Sequence, residues 1–143
     1  MRKNLKLLPI LLAVSFVAFS GCNKHDFICK TSTNFTLTLT DEPKTGTFTG
    51  YFVASGDPTV SGTFTMEVNQ NGDSLHCSQT LVVPDIGSTT IVSNCSLTDM
   101  TGEWFITNGT GAYSNLHGEG SLLMSFPADS PSIEALYGET WRQ

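Results

Sequence analysis

From Asn34 to Thr40 the chain alternates strictly, with Phe35, Leu37 and Leu39 set between Asn34, Thr36, Thr38 and Thr40. Period two belongs to an extended strand that buries one face and wets the other. The pattern returns in Phe48, Gly50 and Phe52. Beyond the Gly56-Asp57-Pro58 turn it appears again in Val60, Gly62, Phe64, Met66 and Val68. No segment of this region carries the three-and-four spacing of an amphipathic helix. Gly and Pro break the rest at intervals of about 8 to 12 residues, the spacing of short strands. Strands are predicted near 33–40, 46–54, 60–69, 74–83, 89–98, 102–107, 119–126 and 133–142, eight in all, so the domain is expected to be all-β.

The fourth and fifth of these strands flank Pro84-Asp85-Ile86-Gly87-Ser88. Read as a five-residue connection, this turn sets Leu75 opposite Leu97, Cys77 opposite Cys95, Gln79 opposite Ser93 and Leu81 opposite Ile91. Ser74, His76, Ser78 and Thr80 then share the wet face with Thr90, Asn94 and Ser96. Directly opposed cysteines in a non-hydrogen-bonded pair stand about 4.5 Å apart at Cα, within reach of a disulfide, so Cys77 is predicted to bridge Cys95. Gln79 and Ser93 are a polar pair on an inward face. Either they bond each other or they line a ligand cavity, because a dry core would leave their groups unsatisfied.

A different pattern opens the chain. Arg2, Lys3 and Lys6 precede the apolar run Leu7 to Phe19, which reads as an export signal and is too short to span a bilayer. The run ends in Phe19-Ser20-Gly21-Cys22, which resembles the lipobox of bacterial lipoproteins, with Phe19 where that family usually has Leu. The resemblance implies that residues 1–21 are removed as a signal peptide and that Cys22 is acylated, palmitate being a typical chain. Residues 22–32 then form a polar tether that includes His25, and 33–143 the barrel domain. The expected location is the bacterial cell envelope, anchored by lipid, with the outer membrane as the membrane partner.

Composition then changes the picture of the surface. The whole chain carries 7 Lys and Arg against 13 Asp and Glu, a net −6. After Cys22 only Lys24, Lys30, Lys44 and Arg142 remain against all 13 acids, a net −9. No basic stripe can be built from four cations, so nucleic acid is not an expected partner, and an acidic surface leaves attachment to the lipid alone. Thr occurs 19 times after Cys22 and Ala 4 times, so threonines clothe the wet strand faces.

Downstream stands Gly102-Glu103-Trp104-Phe105-Ile106-Thr107-Asn108-Gly109-Thr110-Gly111-Ala112-Tyr113-Ser114-Asn115-Leu116-His117-Gly118-Glu119-Gly120. Asn108 to Gly111 reads as a tight turn needing positive φ, Tyr113 and Leu116 as a short bend tucked under the sheet, and Gly118 and Gly120 as points of close approach. The segment resembles the signature of the allene-oxide-cyclase and dirigent-like barrel superfamily at Ile106, Thr107, Gly109, Thr110, Gly111, Ala112, Tyr113, Leu116, Gly118 and Gly120. Asn108 stands where that signature has Gly. The resemblance implies a small antiparallel up-and-down barrel, in agreement with the eight strands. Its members include cyclases, stereochemical guides and proteins without known activity, so it implies no single function.

Candidate chemistry is sparse. Glu103, His117 and Glu119 surround the turn unit and offer an acid and a base, but Glu103 and Glu119 are out of phase with Trp104, Ile106, Leu122 and Met124 and are expected in solvent. His76 falls on the wet hairpin face. No two Cys or His have the short spacing of a structural metal site, no cofactor motif is present, and Cys29 is left over in the tether. The expected function is a lipid-anchored, non-enzymatic envelope protein that binds an apolar or amphipathic small molecule. The alternatives are an isomerase of the allene-oxide-cyclase kind and a protein-interaction module.

Overall fold

In the computed structural model, which describes residues 28–40, 46–56 and 59–143, the eight expected strands form. They are β1 (Thr31–Leu39), β2 (Thr47–Ser55), β3 (Val60–Asn71), β4 (Ser74–Val83), β5 (Gly87–Ser96), β6 (Thr101–Gly109), β7 (Leu116–Ser125) and β8 (Ile133–Arg142). Each pairs antiparallel with the next, and β8 returns to β1, closing the barrel. Among the described residues the only helical element is a single 3-10 turn, Gly111–Tyr113. Among the described residues no helix is long and apolar enough to cross a membrane.

Alternation decides what lies inside. Phe35, Leu37 and Leu39 of β1, Phe52 and Ala54 of β2, and Phe64 and Met66 of β3 are buried, while the threonines between them are exposed or nearly so. Trp104, Ile91, Leu122 and Leu136 complete the centre, and the Trp104 ring meets Phe35 edge-on at 5.5 Å. Trp104 Nε1 donates to the Tyr137 carbonyl at 3.2 Å, so the largest core side chain leaves no buried donor unpaired. β1 starts at Thr31, two residues ahead of the expected domain boundary, and Thr31, Ser32 and Thr33 are already paired with β8.

The β4–β5 hairpin departs from the expected register. Its loop is three residues, Pro84 to Ile86, because Val83 and Gly87 are already paired. Ile86 N donates to the Val83 carbonyl at 3.2 Å, and Asp85 takes φ 61. Pro at the second position and a positive φ at the third are what a type II turn requires. The shorter loop shifts the partners by two, which keeps every side chain on its expected face but changes its neighbour. Cys77 faces Ser93, Leu75 faces Cys95, and Gln79 faces Ile91.

The predicted Cys77–Cys95 disulfide is therefore absent, and both thiols are free. Diagonal neighbours on a sheet face stand about 7 to 8 Å apart, beyond the reach of a bridge without backbone movement. Burial, with Glu134 nearby, pushes the Cys77 thiol up to about 12, so it stays protonated and unreactive. We predict that neither Cys77 nor Cys95 is alkylated by iodoacetamide in the native protein and that both are alkylated after unfolding without reductant. A Cys77–Cys95 peptide in a non-reduced digest overturns this.

Candidate functional site

The turn unit that carried the resemblance builds one end of the barrel. Asn108 and Gly109 are strand residues of β6, and a bulge at Thr107, opposite the step from Thr90 to Ile91 of β5, shifts the register there, so the expected tight turn at Asn108 is displaced onward. Of the expected turn residues only Gly111 has positive φ, at 58. A Cβ on Gly111 would stand 2.3 Å from the Ile86 carbonyl oxygen, and one on Gly109 would stand 1.9 Å from that of Tyr113. Ala112 N donates to the Ile86 carbonyl and Thr110 N to that of Ser88, at 3.0 and 2.8 Å. These bonds tie the β4–β5 turn to the 3-10 turn and fix Ala112, Tyr113 and Leu116 as one side of an opening.

That opening is a cavity of about 560 Å³. Phe35, Phe52, Ala54, Val60, Leu81 and Val83 line it from the strands, and Ile86, Leu116 and Trp141 from its rim. Its polar lining is hydroxyls, Tyr113 and Arg142, and two of those hydroxyls are spent on each other, Thr33 Oγ1 lying 2.7 Å from Thr140 Oγ1. No Asp, Glu or His is among its described lining residues. A cavity of this size and character takes a small organic molecule with a large apolar surface.

Gln79 and Ser93 do not line it. Both are 0% exposed and bond each other, Gln79 Nε2 to Ser93 Oγ at 3.2 Å. They also hold a residue that the sequence did not single out, Glu134, which is 1% exposed. Gln79 Nε2 donates to Glu134 Oε2 at 2.5 Å and Ser93 Oγ to Glu134 Oε1 at 3.2 Å. Burial pushes the Glu134 carboxyl up to about 7, against the opposing pull of these two donors. Glu134 reaches a void of about 30 Å³ at the other end of the barrel, lined also by Phe48, Met66, Cys77 and Met124. The polar cluster is thus part of the packed half of the barrel and does not front the cavity.

The other candidates are dispersed. Glu103 and Glu119 are exposed on the outer face, and His117 stacks on Trp141 at 6.0 Å. His76 Nδ1 contacts Asn94 Oδ1 on the outer face of the β4–β5 hairpin. These groups do not converge on the cavity. Gly118 and Gly120 act as expected, since a Cβ on Gly120 would stand 2.0 Å from the Tyr137 carbonyl oxygen. Cys29 lines the cavity and has a partner, so it is not the leftover thiol the sequence suggests. Cys22, the expected acylation site, lies outside the described residues. Among the described residues no cluster of three His, Cys, Asp or Glu could hold a metal ion.

A closed eight-stranded antiparallel barrel, packed at one end and open at the other, defines the class of molecule. No protein-family model matches the sequence, and no curated protein matches it. Among solved structures, that of a pterocarpan synthase dirigent protein superposes with a TM-score of 0.51 at 13% identity, covering 80% of this chain and 88% of that one. The chain therefore has the dirigent-like barrel fold.

Proposed function

We propose that the protein is an exported, lipid-anchored component of the bacterial cell envelope that takes an apolar or amphipathic small molecule into the open end of its barrel. The cavity of about 560 Å³ carries the binding half of this reading. A binding role is supported by its lining, which is mainly apolar side chains with a few hydroxyls. Cys29 and Thr31 stand at this same end, and Cys22 precedes the first described residue, Ile28, by only six positions. At roughly 3.5 Å per residue such a tether spans about 20 Å, so an anchor at Cys22 keeps the mouth close to the bilayer surface.

Two measurements test the two halves. Intact mass spectrometry of protein from its own host should show a chain that begins at Cys22 and carries acyl mass, and C22A should abolish both. An unacylated chain overturns the anchor. For the cavity, calorimetric titration with the neutral probe 1-naphthylacetamide should give saturable binding. Val60→Trp, which adds bulk at a half-buried position of the cavity lining, should weaken it at least tenfold. No saturable binding, together with no co-purified small molecule in native mass spectra, overturns the binding role.

A further inference from the structure

The cavity is mainly apolar with uncharged hydroxyls, yet its rim carries one charge. Arg142, the last residue of β8, is the only ionised side chain among the described lining residues. Its Nη1 donates to the Ala112 carbonyl at 2.5 Å and so joins the end of β8 to the 3-10 turn. That bond uses one of five guanidinium N–H donors. Among the described residues no carboxylate takes up the rest. The one ion pair among the described residues joins Lys30 Nζ to Glu139 Oε2 at 3.3 Å, and Lys30 also lies 4.7 Å over the Trp141 ring. Asp85, in the turn beside the rim residue Ile86, is neither in an ion pair nor part of the cavity lining.

The placement runs against the charge of the molecule. Beyond Cys22 the chain has four cations against 13 acids. Two of the four, Lys30 and Arg142, fall at this one end, beside the paired ends of β1 and β8 where Thr31 faces Thr140. A guanidinium at the rim of an apolar well presents a planar set of donors to an oxyanion whose hydrophobic part lies below.

Taking the cavity as a binding site, we infer that its ligand is an amphipathic anion, a carboxylate or similar oxyanion held by Arg142 with an apolar body seated among Phe35, Phe52 and Leu81. This goes beyond uptake of an apolar molecule, because it assigns a polarity and a headgroup to the ligand and an orientation within the barrel. The head lies at the rim and the body points toward the packed half.

The test compares 1-naphthylacetate with 1-naphthylacetamide, which share the ring and nearly the shape but differ in charge. Titrated into the full chain in matched detergent, the carboxylate should bind about fivefold to tenfold tighter than the amide, a preference that salt reduces because the guanidinium is at the surface. In Arg142→Gln the ratio of the two affinities should fall toward one, and Arg142→Lys should restore part of it. Equal affinities in the native protein, or a preference that survives Arg142→Gln, overturn the assignment while leaving the cavity as a binding site. Failure of both probes to bind overturns the assignment together with the cavity reading.

Discussion

The protein should lose stability as pH rises through neutrality, and Glu134→Gln should remove most of that loss. Glu134 has an ordinary carboxyl pKa of 4.5 when exposed and one pushed up to about 7 in the folded barrel, because burial penalises its charge more than Gln79 and Ser93 support it. The folded state therefore holds a proton that the unfolded state releases between these two values. The contribution is fully present below about pH 4.5, declines as pH climbs, and is gone above the folded value of about 7. The difference corresponds to roughly 3 kcal/mol. Asp99, lowered by the Thr101 backbone N–H, acts in the opposite sense and only in acid, outside this window. Urea unfolding from pH 5 to 9 should show the native protein weakening with pH and Glu134→Gln nearly flat. Parallel curves for the two proteins would show that Glu134 is not the group responsible.

The second large effect is expected where three chain segments meet around one ring. Gly120 of β7 faces Gly138 of β8 and also Trp104 of β6. A Cβ on Gly138 would stand 2.1 Å from the Glu119 carbonyl oxygen and 2.8 Å from Trp104 Cζ2. Neither neighbour can yield cheaply, since one is ladder backbone and the other is the 1% exposed core tryptophan. Gly138→Ala should cost about 3 kcal/mol or more, at or above the upper end of overpacking effects. Ser121→Ala, on the exposed face of β7, should change stability by less than about 0.5 kcal/mol. Chemical unfolding followed by tryptophan fluorescence measures both. A Gly138→Ala protein as stable as Ser121→Ala would show that the close approach is not required.

Much of this architecture could be read from alternation alone, and the failures have local causes. Phe35, Leu37 and Leu39 face inward as their period-two pattern requires, and β4 runs from Ser74 to Val83 as predicted. The neighbouring register was misread because face and partner are separate questions. The apolar pattern set the face of Cys77 and Cys95, but the turn chemistry of Pro84 and Asp85 set their partners.

Glu134 was missed for a related reason. Along β8 the odd positions Ile133, Ala135 and Tyr137 are more apolar than Glu134, Gly138 and Thr140, so local pattern points the glutamate outward. Tertiary packing chose the other phase, because Gly138 has to sit beneath Trp104 and Leu136 has to enter the core with it. Gln79 and Ser93 do bond each other, one of the two readings their pattern allows, but neither reading includes Glu134 as a third member. The cavity had no local signature at all. It arises from the closure of β8 on β1 and from the docking of the 3-10 turn on Ile86, neither of which is a sequence-adjacent contact.

That closure also sets an order of events. Every pairing from β1–β2 to β7–β8 joins strands adjacent in sequence and can form as successive hairpins, whereas β1–β8 brings Thr31 against Thr140. Long-range pairing carries its loop-closure entropy before any contact rewards it, so it is the slow kind of step. Until Ile133–Arg142 docks, β1 and β7 each expose an unpaired edge, and Trp104 has no floor. β8 is therefore the latch of the barrel, and a barrel without it is an open sheet inviting association with its own kind.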